Sequence, residues 1–142
     1  MANLLTRAGC EARLGPGPAA IRELAREVTD YLMFVDEPPL KGKLEGTSGF
    51  APKFASLGPL RQFDLERRMM RYPCSYMIYS PAFGALPAGL RSAIYSRLNQ
   101  ILTGEEKSPK YAHLTLADRH AVVKILRETK NDLPQGFAAG VN

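Results

Sequence analysis

A chain of 142 residues, 45% hydrophobic and 23% charged, has the size and apolar content of one globular domain, which excludes wholesale disorder. Its formal charge of +5 makes anionic partners worth weighing, but no run of five like charges exists, so a basic tail is excluded. Two cysteines without a CxxC spacing and two histidines leave no local zinc or covalent haem motif, and no apolar stretch approaches the ~20 residues needed to cross a bilayer.

In chain order, residues 3–14 read as a short helix stopped by Gly15-Pro16-Gly17-Pro18. Pro18 suits the first turn of the next helix, where its missing N–H costs nothing. Residues 19–35 are the clearest amphipathic stretch. Ile21, Leu24, Ala25, Val28, Leu32 and Val35 share one face at helical spacing, while Met33 and Phe34 break the polar side. Residues 36–62, rich in Gly and Pro, predict a long loop, with Phe50 and Phe54 spaced to form a short helix that pins it to the core.

Asp64 to Arg71 reads as helix, and Tyr72-Pro73 interrupts it because the residue before proline disfavours helical angles. Cys74 to Tyr79 is read as helical from its neighbours. Leu90, Ile94, Leu98 and Ile101 define a helix over 87–103, ended by Gly104. The last helix spans 116–130, with Thr115 as N-cap, Asp118 as the capping-box acid, and Leu116, Val122, Val123, Ile125 and Leu126 on its apolar face. The expectation is a compact, irregular all-α bundle of about four to six helices with one long Gly/Pro-rich loop. It is a single domain over 1–134 with a flexible tail over 135–142.

The residues whose side chains can carry chemistry each have a structural reading beside the functional one. His113, just ahead of the last helix cap, is placed for a ring nitrogen to bond a loop carbonyl. His120 is expected on the solvated face with Lys124 and Arg127. Cys74, among apolar and aromatic residues, reads as a buried inert thiol, although the nearby arginines keep a reactive role in view. The methionines read as core. Arg61, Arg67, Arg68 and Arg71, with Tyr72, Tyr76 and Tyr79, share the flavour of nucleic-acid surfaces, but Asp64 and Glu66 dilute them and an ion-pair network is expected instead. No GxGxxG or P-loop is present. Cys74, His113, Arg67 and Arg71 are the candidates for functional contacts. No cofactor or metal is assigned to this chain. Nucleic acid is not the expected partner, nor is membrane insertion expected.

The run Tyr72-Pro73-Cys74-Ser75-Tyr76-Met77-Ile78-Tyr79-Ser80 resembles the C-terminal region of a group of large, poorly characterised bacterial exported proteins associated with cytochrome c-like domains. Asn3-Leu4-Leu5-Thr6-Arg7, Glu45-Gly46-Thr47-Ser48-Gly49-Phe50, Ala85-Leu86-Pro87 and Tyr111-Ala112-His113-Leu114 fit the same pattern in the same order, so the resemblance covers nearly the whole chain. It implies a C-terminal fragment of a longer periplasmic protein whose haem c sequence lies upstream. It carries over no catalytic residue. Taken alone, the N-terminus shows no cleavable apolar segment and reads as cytoplasmic if the chain is complete.

Three hypotheses follow. The first is a non-catalytic helical module that packs against a haem-bearing or other redox domain of the same polypeptide. The second is a free-standing basic module for nucleic acid or another polyanion. The third, lacking any dyad or metal motif, is an enzyme centred on Cys74 or His113.

Overall fold

The computed structural model describes residues 2–45 and 48–141. Gly46 and Thr47, part of both the long loop and the resemblance, lie outside the described residues, as do Met1 and Asn142. Helices carry the regular structure: α1 (Ala2–Arg13), α2 (Pro18–Leu32), α3 (Phe50–Ala55), α4 (Pro81–Gly84), α5 (Ala88–Thr103) and α6 (Leu116–Thr129), with short 3₁₀ turns at Pro59–Arg61, Tyr76–Tyr79 and Pro109–Tyr111. The all-α expectation holds among the described residues.

The centre is the α2–α5 pair. Leu24, Ala25, Val28 and Leu32 from α2 meet Leu90, Ile94, Leu98 and Ile101 from α5, all buried. α6 adds Val122, Val123, Ile125 and Leu126, and α1 closes one side with Leu4, Leu5 and Ala8. Gly104 ends α5 in the left-handed conformation, a backbone shape that glycine adopts without steric cost. Thr115 and Asp118 form the expected capping box, satisfying two of the free N–H groups at the start of α6.

Five expectations need correction. α2 stops at Leu32, not 35, because Phe34 and Asp36 take left-handed backbone angles (φ 53° and 64°) that turn the chain away. The helix expected over 64–71 is a tight reversal. Asp64 N–H donates to Met69 O, Leu65 N–H to Arg68 O and Arg71 N–H to Gln62 O, with Phe63 and Met70 bridged. An eight-residue helix has little intrinsic stability, and here residues 40–44 offer competing partners. Leu40 and Leu44 donate their N–H groups to the carbonyls of Arg67 and Leu65.

Leu116, assigned to the apolar face of α6, is exposed at its first turn. The tail is not frayed: Phe137, Ala138 and Val141 are buried. Asn99 Oδ1 accepts from Ala138 N–H at 2.6 Å, and Arg127 donates to the carbonyls of Phe137 and Ala138. That contact also gives Arg127 a tail-clamping role in place of a purely solvated one, and His120 is half-buried.

The segment 74–80 is nearer to expectation. Ser75 Oγ caps the 3₁₀ turn Tyr76–Tyr79 and Ser80 Oγ caps α4. Ser75 N–H also donates to Leu32 O at 2.7 Å, which ties this segment to the end of α2. Cys74 and Ile78 are buried and Met77 packs against the core.

Candidate functional site

Three of the four candidates come to one side of the molecule, and the fourth does not. The turn after α2, the reversal at 63–70 and the first turn of α6 enclose a cleft of about 610 Å³ whose walls include Phe34, Asp36, Arg67, Arg68, His113 and Asp118. A second cleft of about 510 Å³, with Phe63, Arg71 and Tyr72, shares Arg67, Arg68 and Asp118 with it. Arg67 therefore borders both clefts and Arg71 only the second, with one ion pair between the two. Cys74 lies in the core, away from both.

That dividing pair is Arg68–Asp118. Arg68 Nη2 donates to Asp118 Oδ1 at 2.8 Å and to the Arg71 carbonyl at 2.7 Å, and Nη1 reaches Asp118 Oδ2 at 3.4 Å. Asp118 also accepts from the Thr115 N–H at 3.2 Å. Burial pushes this carboxyl up, but the Arg68 and Thr115 hydrogen bonds outweigh it and hold the group below its usual range. One carboxylate thus caps α6 and tethers the reversal. For the arginines of this segment, the expected ion-pair network reduces, among the described residues, to this link together with Arg67–Asp64 at 3.8 Å, while Glu66 lies 3.9 Å from Lys43. Arg71 instead donates to Gln62 Oε1 at 2.9 Å and lies over the Tyr72 ring.

His113 takes the structural role its position suggested. Its Nε2 lies 2.9 Å from Met33 O and its Nδ1 3.2 Å from Lys110 O. Both nitrogens face backbone carbonyls. The tautomer protonated on Nε2 donates the shorter bond and fastens the last loop to the end of α2. Cys74 is fully buried, and burial alone pushes its thiol up to about 12. Among the described residues, no group of three or more His, Cys, Asp or Glu is placed to hold a metal ion.

The feature that sequence reading underweighted is aromatic. The ring of Phe54 lies 5.3 Å from Phe50 and 5.2 Å from Phe63, both near-parallel, and Tyr76 meets it edge-on at 5.3 Å. The Arg61 guanidinium sits over Tyr76 at 4.3 Å and over Phe54 at 5.2 Å. The four-residue spacing of Phe50 and Phe54 signalled the helix. The third ring, Phe63, arrives only because the 63–70 reversal replaces the expected helix. Phe50 remains 57% exposed, and Leu44, Leu57 and Met69 are exposed in the same stretch of chain. Among the described residues, four of the seven exposed large hydrophobic residues thus belong to residues 44–69, a concentration that isolated surface apolar residues do not produce.

Compared with family models, curated proteins and solved structures, the chain matches none.

Proposed function

We propose that this chain is a non-catalytic helical module that docks against another domain, a haem-bearing or other redox domain of a longer bacterial protein. The observation that carries the docking part is the apolar surface formed by exposed Phe50, Leu44, Leu57 and Met69 around the half-buried rings of Phe54 and Phe63. It lies on a segment that, among the described residues, contributes only Leu60 to the main core, and Phe50 at its outer side is left largely open to solvent. Interfaces between domains are enriched in such aromatic, methionine and arginine side chains. The residues best suited to chemistry are committed elsewhere: Cys74 to the core, His113 to the Met33 carbonyl, and Arg68 to Asp118. The redox identity of the partner comes from the sequence resemblance.

The test supplies the expected upstream haem domain as a separate chain and measures association by titration calorimetry. The expected result is a complex that Phe50→Ser with Leu57→Ser abolishes, while the melting temperature of the module stays put. No association, or association indifferent to both substitutions, would sink the proposal.

A second reading, a module for nucleic acid or another polyanion, draws on a different observation. Residues 40–72 hold seven Lys and Arg against three Asp and Glu, a net +4, whereas the rest of the chain holds twelve against eleven. Binding to a single-stranded oligonucleotide that weakens steeply with salt would favour it.

A further inference from the structure

The charge and the exposed apolar side chains fall on the same segment, and together they specify what kind of surface covers it. Four of the seven cations in residues 40–72, namely Lys41, Lys53, Arg61 and Arg71, have no carboxylate within 4.0 Å among the described residues. Lys43, by contrast, faces Glu45 and Glu66, and Arg68 is tied to Asp118. Three of these four border the ring cluster: Lys53 is on α3 between Phe50 and Phe54, Arg61 stacks on Phe54 and Tyr76, and Arg71 stacks on Tyr72 beside Phe63. An apolar centre with a charged rim is the ordinary anatomy of a protein interface. The sign of the rim selects the partner.

We infer that the partner seated on this face is an acidic protein surface with an apolar centre, an inference that rests on the docking reading above. Two other occupants fit the charges less well. A second copy of this chain would bring net +4 against net +4, and like charges across an interface repel. A nucleic-acid strand needs a track of free cations along its phosphates. Here Glu45, Asp64 and Glu66 interleave with the basic residues and neutralise Lys43 and Arg67 along that track. A folded acidic surface meets the four unpaired cations at discrete points, and its apolar centre covers Phe50 and Leu57. The rim charges then set encounter rate and salt sensitivity, while the rings set the lifetime of the complex.

The experiment uses the whole chain, isotope-labelled, and reads its backbone amide resonances against three probes. These are a synthetic amphipathic helix of leucine and glutamate, the same helix with lysine in place of glutamate, and oligo(dT). The expected result is that the leucine–glutamate helix displaces resonances of residues 40–72. Its affinity should fall about tenfold with Phe50→Ser, and about tenfold with Lys41→Glu plus Lys53→Glu. Lys41 and Lys53 are exposed, so the charge-reversed protein should keep its helical circular dichroism. If both peptides bind alike and Phe50→Ser weakens both, the docking face stands and its acidic complement is overturned. If oligo(dT) binds more tightly than the leucine–glutamate helix, the partner is a nucleic acid and the inference is overturned. If no probe moves the 40–72 resonances, the docking face and the inference fail together.

Discussion

Cys74 shows how a single environment settles a residue's chemistry. It follows the buried Pro73, is itself fully buried, and has no cationic or helix-terminal partner to stabilise a thiolate. With its thiol pushed up to about 12, the nucleophilic form is negligible at neutral pH. In a Cys10→Ser background, a thiol reagent should label the native protein far more slowly than the unfolded protein. Native labelling faster than that of a free cysteine would return the enzyme reading to first place. At this scale the sequence was legible where the answer depended on neighbours in the chain. The apolar run around Cys74 implied burial, and the loop position of His113 implied a carbonyl partner. Which carbonyl was not legible. Met33 O is 80 residues away, and it is presented to His113 by the left-handed turn at Phe34 that ends α2. Arg67 and Arg68 are likewise adjacent in sequence with opposite fates, one largely exposed and one paired with Asp118, and only the 63–70 reversal separates them.

Among the elements, α2 and α5 are legible because their stripes are long and regular, and burial of the stripe residues confirms the facing. Thr29 is the exception inside the stripe. It is fully buried on α2, yet its hydroxyl has no hydrogen-bond partner among the described residues. A buried unsatisfied hydroxyl costs about 1–3 kcal/mol. Thr29→Val, which keeps the branched shape and removes the orphan oxygen, should therefore raise the denaturant midpoint. Leu98→Ala on the facing helix should lower stability by about 2–5 kcal/mol through the cavity it opens. Equilibrium urea unfolding of the two variants checks both signs; a destabilised Thr29→Val would mean that the hydroxyl has found a partner. The misread element, 64–71, failed for a physical reason. Its local pattern suits a helix, but Leu65 takes a left-handed backbone (φ 61°), and the carbonyls of Leu65 and Arg67 accept from the N–H groups of Leu44 and Leu40 in the preceding loop. Such a non-local partner leaves no periodicity to read.

For the molecule as a whole, the ionisable groups that the fold shifts fall into two sets, and they bound stability from opposite sides. Asp118 and Asp132 are held below their ordinary 3.8. Burial opposes this in both, but is outweighed by the Arg68 and Thr115 bonds in one and by the Tyr95 and Lys130 bonds in the other. A carboxyl lowered in the fold contributes stability that is present above its unfolded value and is lost as pH falls through the folded one. Unfolding should therefore become easier below about pH 4. Losing the Asp118 charge also releases the tether between α6 and the 63–70 reversal, so that reversal should loosen first. On the other side, burial raises Cys74 from 9.0 to about 12, and burial with the bonds to Asp132 and Asp30 raises Tyr95 and Tyr111 above their ordinary 10.0. A group raised in the fold contributes stability that is complete below its unfolded value and lost as pH rises towards the folded one, here from about pH 9 upward. The denaturant midpoint plotted against pH should accordingly form a plateau with two falling limbs. Asp118→Asn should lower the plateau and partly flatten the acid limb, because it removes one of the carboxyls whose protonation differs between states. Cys74→Ala should flatten the alkaline limb and leave the acid limb unchanged. An acid limb that keeps its full slope in Asp118→Asn would show that the Arg68–Asp118 link is not what acid breaks.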